Sequence, residues 1–432
     1  MDKEKFDELQ QENDILKKEN KYLRSLVTSR RFKAAETLAN TYNHFVPNDT
    51  RRRKMVHSII KPINAMAKRK EKRTEEKVRK LVGHKERIMV LDGVPWKVGL
   101  RQRSHHLALQ LSKLGFFVIY LERDNSINRV HKITDNLITI NSEKYLFSLP
   151  KQCKKCFFLL PNNSNLQLNV LKGILGVGFD LVYDYLDEFD ENIAGEIGSQ
   201  MGIWDALAEL KPVLCIATAK KLFDELELHL GNKQKMILVK NAVTLEDFTN
   251  DKKKRRPADM IPILQKGKPV IGFYGALAPW IDFDLLNELA RNKPEWEFVY
   301  LGVDYNGAAS NLALSDNVHY LGVKDYKSLS EYSRCFDCAM IPFKKGNIAK
   351  ATSPIKLFEY MAVGLPTVCT RDLSECEGYD YVYMSNTNAE FERNIEKAIA
   401  NKSDKKCQER LMEQAKQNTW CARAEEIAKE LI

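Results

Sequence analysis

From about residue 86 to the end of the chain, short apolar runs of strand character alternate with helical patterns. Alternation of this kind confines a chain to parallel sheets covered by helices, because a parallel crossover needs a connection long enough to hold a helix. The runs fall into two sets. The first reads as strands at 88–91, 117–121, 156–160, 181–183, 213–217 and 236–239. The second reads as strands at 270–274, 297–301, 318–320, 338–341 and 367–369. A charge-rich stretch with proline, 250–267, separates the sets and reads as a linker. The expectation is an α/β chain of two lobes, with ligands in the cleft beyond the carboxyl ends of the strands. No apolar run, such as 116–121 or 157–161, nears the roughly 20 residues that cross a bilayer. The first residues, MDKEKFDELQQEN, hold no apolar signal core, so secretion is not expected. Nine cysteines, an odd number, fit a reduced cytoplasmic chain.

Two segments precede the lobes. Phe6, Asn13, Asn20 and Val27 repeat every seven residues, with Leu9, Leu16 and Leu23 three places after the first three. This is an a/d heptad pattern over 6–27, and it predicts a coiled coil within 1–28. Asparagine at two a positions favours a paired, in-register homodimer, and Glu12 and Glu19 can meet Lys17 and Arg24 across it. About three heptads is marginal alone, so a single solvated helix is the alternative. The stretch 29–85 is helix-compatible and basic. The whole chain carries a net charge of +10, and residues 51–80 alone hold 13 Lys or Arg against 3 acids, which accounts for all of it. Met55, Val56, Ile59, Ile60, Ile63 and Met66 form an apolar stripe between cationic flanks. That pattern suits an anionic membrane surface, against a solvated linker as the plain alternative. No aromatic residue is interleaved for base stacking, so nucleic acid is not an expected partner.

The segment 341–369, IPFKKGNIAKATSPIKLFEYMAVGLPTVC, carries the most chemistry. Ser353 reads as an N-cap with Pro354 in the first helical position, and Gly364 and Pro366 stop the helix. Lys356 then sits in the first turn, where the helix dipole disfavours a cation. Lys344, Lys345 and Lys350 crowd the same end. Free amides at a helix N-terminus already favour an anion, so added cations point to a phosphate there. Glu359 lies on an apolar stretch between Phe358 and Met361 and needs a partner, which sugar hydroxyls or Lys356 could supply.

The run Ser353, Pro354, Lys356, Glu359, Tyr360, Ala362, Gly364, Pro366 resembles the signature of group 1 glycosyltransferases of the GT-B fold. Segments 100–121, 239–248 (VKNAVTLEDF), 271–284 (IGFYGALAPWIDFD), 317–343 and the last helix from Trp420 resemble other parts of that family, in the same order, over about residues 86–432. The resemblance implies two Rossmann-like lobes: an acceptor lobe at 86–249, the linker at 250–267, a donor lobe at 268–415 and a closing helix at 416–432. It implies transfer of sugar from a nucleotide-sugar to an acceptor hydroxyl, with no cofactor and no divalent metal. Glu359 would hold the donor ribose. Ser353, Pro354 and Lys356 would line the diphosphate, and Gly275 and Ala276 would let the backbone approach the donor.

Two departures bear on stereochemistry. Many retaining members carry a glutamate eight residues before the position of Glu359, where this chain has Ala351. The first donor-lobe loop reads GALAPWIDF and lacks the family's Arg and Lys. An inverting reaction would need a general base from the first lobe, and Asp184 and Asp187 stand at the end of the strand in DLVYDYLDEFD. Arg103, His106 and Trp280 are further candidates for cleft contacts. Cys153, Cys156, Cys335 and Cys338 count as a four-thiolate zinc set, but the pairs fall in different lobes, and Cys335 and Cys338 read more simply as buried apolar positions. The reading favoured is a hexosyltransferase of surface-polysaccharide synthesis, peripheral at the inner membrane face and acting on a lipid-linked or glycan acceptor. A nucleotide-sugar epimerase of the same fold and a non-catalytic coiled-coil adaptor are the alternatives.

Overall fold

The computed structural model describes residues 69, 71–98, 101–122, 130–149, 153–191, 197–249 and 256–432. The heptad segment 6–27, most of the basic stretch and linker residues 250–255 lie outside the described residues. Residues 74–432 form one compact unit. Among the described residues no helix is long and apolar enough to cross a membrane.

The first sheet contains β1 (Arg87–Gly93), β2 (Phe117–Glu122), β3 (Val130–Thr134), β4 (Leu137–Ile140), β5 (Lys155–Pro161), β6 (Asp180–Tyr185), β7 (Leu214–Ala217) and β8 (Met236–Leu238). Their spatial order is β3-β4-β2-β1-β5-β6-β7-β8. Every pair is parallel except β3 with β4. The second sheet is fully parallel, with β9 (Val270–Tyr274), β10 (Glu297–Leu301), β11 (Val318–Tyr320), β12 (Cys338–Ile341), β13 (Thr367–Thr370) and β14 (Val382–Ser385) in the order β11-β10-β9-β12-β13-β14. The central strands are buried along nearly their whole length, as parallel strands covered on both faces must be. Strand order reverses between β1 and β5 and between β9 and β12. Loops diverge at those points and leave a crevice at the carboxyl edge of each sheet.

Three strands are additions to the sequence reading. β3 is an edge strand with one buried residue, and β14 is only half-buried. β4 is buried and four residues long.

Five helices matter for the site: α1 (Arg103–Lys113) after β1, α2 (Lys220–Leu230) after β7, the short α3 (Leu245–Thr249), α4 (Ile355–Ala362) after β12, and the closing α5 (Trp420–Leu431). α5 returns to the first lobe and buries Trp420, Ala424, Ile427 and Leu431 in one core cluster with Leu107 and Leu111 of α1. α4 ends in a Schellman turn, with Leu365 N–H donating to Tyr360 O and Gly364 N–H to Met361 O. Gly364 takes φ +67° there, as that turn requires.

The carboxyl edge of the second sheet is tight at one spot. Gly302 follows β10 with φ +135°, and a Cβ there would lie 1.9 Å from the carbonyl oxygen of Gly275. Gly302→Ala should therefore cost about 3 kcal/mol from backbone strain plus overpacking. The measurement is urea unfolding, where the midpoint should fall at an unchanged slope.

Candidate active site

Gly275 ends β9 and α4 follows β12, so both stand at the reversal of the second sheet. Gly275 has φ +148°, and a Cβ there would come within 2.9 Å of Lys356 Nζ. The lysine thus lies across bare backbone. Its ammonium sits 5.0 Å from the Phe273 ring centre and 5.2 Å from that of Phe343. Among the described residues no carboxylate lies within ion-pair distance of it. Burial draws the Lys356 ammonium down to about 8, against the pull of Glu359. Ala276 is half-buried beside Gly275.

Glu359, one turn further along α4, is only 4% exposed. Burial raises its carboxyl to about 7, while Tyr274 and Lys356 act in the opposite direction. The Tyr274 hydroxyl lies by the carboxylate without closing a hydrogen bond of normal geometry. Tyr360 braces the same corner by accepting the Tyr274 N–H at 3.0 Å. A lysine and a glutamate on one helix turn, each shifted toward neutrality by burial, leave charge and hydrogen-bonding capacity unused.

The predicted N-cap is corrected. Pro354 is the N-cap, and no side chain caps the helix. The Ser353 hydroxyl oxygen instead accepts the backbone N–H of Asn241 at 3.1 Å, and the Ser353 carbonyl accepts from Asn241 Nδ2 at 2.6 Å. The serine hydroxyl keeps its own proton available to donate. Lys345 and Lys350 do not crowd α4 either. Lys345 donates to Asn386 O at 2.7 Å, and Lys350 approaches Asp372 at 4.0 Å.

In the first lobe, Arg103 and Asp184 form a buried two-bond ion pair, Nε–Oδ2 2.9 Å and Nη2–Oδ1 3.2 Å. This corrects two expectations. Arg103 is not free to meet a ligand, and both oxygens of Asp184 are already engaged by it, although burial raises that carboxyl. Arg103 Nη1 also donates to Asn241 Oδ1 at 3.3 Å. Asp187 is different. It is half-buried, its backbone pairs with the Asn162 amide, and among the described residues no cation pairs with its carboxylate. Burial first, then the neighbouring Asp184 charge, raises it to about 6, with Arg103 opposing.

His106 is buried, stacked on Trp420 at 4.9 Å and 4°, with Nδ1 3.1 Å from Thr244 Oγ1. Among the described residues its Nε2 has no partner, and burial holds the ring at about 3, neutral at ordinary pH. His105 accepts the Gln102 N–H at 3.1 Å and so belongs to the start of α1. Trp280 is half-buried against the second-lobe core. Its carbonyl accepts from Lys344 N at 2.8 Å and its ring tilts on Tyr305 at 5.8 Å, so it braces the loop. Cys153 and Cys156 are joined as a disulfide, against the expectation of a reduced chain, while Cys335 and Cys338 are free. Among the described residues no group of three or more His, Cys, Asp or Glu is placed to hold a metal ion.

Sequence reasoning missed Asn241 and Glu375. Glu375 is 3% exposed, its Oε1 accepts the backbone N–H of Lys220 at 2.7 Å, and its Oε2 lies 2.8 Å from Lys240 Nζ. Asn241 was legible only as part of the family-like VKNAV run. Glu375 carries no local signal, because its partners are more than 130 residues away.

Residues 256–418 match the family model of glycosyl transferases group 1. The matched stretch is the second lobe with the passage that follows it. Over 197 residues it is 30% identical to a Bacillus subtilis (strain 168) protein described as "Putative teichuronic acid biosynthesis glycosyltransferase TuaH". That alignment spans 44% of this chain and 49% of the relative, so the chain spans about half the length of the curated protein it matches. Among solved structures, sucrose-phosphate synthase from Thermosynechococcus elongatus superposes with a TM-score of 0.60 at 14% identity, over 80% of this chain and 98% of that one. The Anabaena protein Alr3699/HepE, solved with UDP and glucose, gives a TM-score of 0.57 at 14% identity, over 80% and 99%. These likenesses give the fold, and the two parallel-sheet lobes are the GT-B arrangement.

The charge state of the cradle has a consequence for stability. The Glu359 carboxyl is raised from 4.5 to about 7 on folding, so the folded protein holds that proton more tightly. Its contribution is complete below 4.5 and is lost as pH rises through about 7. Glu359→Gln should equal wild type near the bottom of that window and exceed it by about 1–3 kcal/mol above its top. Denaturant melts at the two pH values read the difference.

Proposed function

We propose that the protein is a glycosyltransferase that moves a hexosyl group from a nucleotide-sugar to a hydroxyl of a lipid-linked or polysaccharide acceptor. The observation that carries this reading is Lys356 laid across the bare backbone of Gly275 at the mouth of α4, one turn from the buried Glu359. A diphosphate would meet free helix amides, the Ser353 hydroxyl and the Lys356 ammonium, and ribose hydroxyls would satisfy Glu359. In the transfer, the bond from the sugar's anomeric carbon to the phosphate oxygen breaks, and the acceptor oxygen bonds to that carbon. The acceptor proton passes to Asp187, and the nucleoside diphosphate leaves as an anion stabilised by α4 and Lys356. That charge set can neutralise the leaving group without a divalent metal, which is the reading adopted here.

The family and the teichuronic-acid relative support a place in cell-surface polysaccharide synthesis. UDP and UDP-glucose in the Anabaena structures support a nucleotide-sugar donor. The basic segment 51–80 would hold the protein at the inner face of an anionic membrane, and the heptads at 6–27 would pair two copies.

Thermal shifts with UDP, GDP, TDP and CMP test the donor site. One nucleoside diphosphate should raise the midpoint in wild type and fail to do so in Glu359→Ala. A well-folded wild type that responds to none would overturn the assignment and favour an adaptor. Donor turnover with no acceptor product would favour an epimerase.

Asp187→Asn should retain donor binding and lose about 10²–10⁴-fold in transfer rate. The wild-type rate should fall as pH drops through about 6, where Asp187 protonates. A variant of near-normal rate with an unchanged pH profile would remove Asp187 from the chemistry.

A further inference from the structure

Two adjacent residues after β8 grip the second lobe at two separate places. Asn241 holds Ser353 through both its backbone N–H and its side-chain amide, at 3.1 and 2.6 Å. Lys240 holds the buried Glu375, on the turn after β13, at 2.8 Å. Glu375 in turn accepts the N–H of Lys220, the first residue of α2, at 2.7 Å. The plate carrying both grips is itself anchored in the first lobe. Arg103 Nη1 reaches Asn241 Oδ1 at 3.3 Å and Lys240 O at 3.4 Å, and Arg423 Nε reaches Lys240 O at 3.2 Å.

We propose that Asn241 is a positioning residue that ties closure of the two lobes to assembly of the anion cradle at α4. Ser353 sets where α4 begins, and its hydroxyl and carbonyl are held from the first lobe rather than by the helix. If the lobes part, Ser353 loses both bonds and Glu375 loses Lys240 in the same motion. Water can replace each bond, so the difference between open and closed is small and the motion reversible. The cradle is then complete only in the closed arrangement, which keeps the diphosphate site and the Asp187 side of the cleft in step. Here the proposal rests on the donor-site reading given above.

Hydrogen exchange on the ligand-free full chain separates this coupling from a local packing role. Asn241→Ala should speed exchange at the Lys220 amide by about tenfold, although Asn241 does not touch it. Ser353→Ala deletes one of the same bonds and should act in the same direction, which keeps the test valid if Asn241→Ala misfolds. Glu375→Gln keeps an acceptor for Lys220 while dropping the charge on Lys240. It should loosen the 351–357 region. Changes confined to the neighbours of the altered residue would overturn the proposal. In parallel, calorimetric titration with UDP should give a dissociation constant about tenfold weaker in Asn241→Ala, a residue with no place in the donor site itself. An unaltered constant in that variant would count against the coupling. A wild type that binds no UDP would count against the donor reading, and the exchange arm would still decide the coupling.

Discussion

The arrangement of the site depends on one buried ion pair, Arg103 with Asp184. Two charges taken out of water gain little net stability from their attraction, since desolvation is of similar size. The value of this pair lies in direction. A guanidinium held flat by two carboxylate oxygens has one edge left, and that edge is spent on Asn241 and Lys240. The end of β6, the start of α1 and the turn after β8 are thereby fixed to one another. Both bonds to Ser353, and the Lys240 contact with Glu375, start from that turn.

The same pair sorts the two carboxylates of the acidic loop. Asp184 has both oxygens bonded and its charge balanced by Arg103. Asp187, three residues on, has neither, and it bears the repulsion of Asp184 as well as partial burial. Two aspartates three residues apart thus differ in environment because Arg103 pairs with one and not with the other. In the second lobe, Lys356 and Glu359 diverge from their ordinary values for a related reason. Apolar neighbours, Phe273 and Phe343 among them, take the place of water around the ammonium.

Much of the fold was legible because parallel strands buried on both faces read as continuous apolar runs. In the second sheet, 270–274, 297–301, 318–320 and 338–341 coincide with the observed strands. β3 escaped because an exposed edge strand with His131 and Lys132 has no apolar face to announce it. The α4 segment was legible in its residues but not in its capping. Local rules award Ser353 to the helix it precedes, whereas a partner 112 residues away claims its oxygen. Asp184 and Asp187 look alike in sequence, and only Arg103, 81 residues from Asp184, tells them apart. Residues whose partners are distant carry the site, and a single sequence records the residue but not the partner.

The chain passes between the lobes twice, outward after β8 and back before α5. The two passages lie side by side: Val243 N–H donates to Asn418 O at 3.1 Å and Trp420 N–H donates to Val243 O at 3.1 Å. A single tether would let one lobe swivel freely on the other. A paired ribbon resists torsion and permits bending about one line. Whatever opens this cleft must therefore travel along an arc, so a substrate meets the same two walls at every visit and in the same orientation.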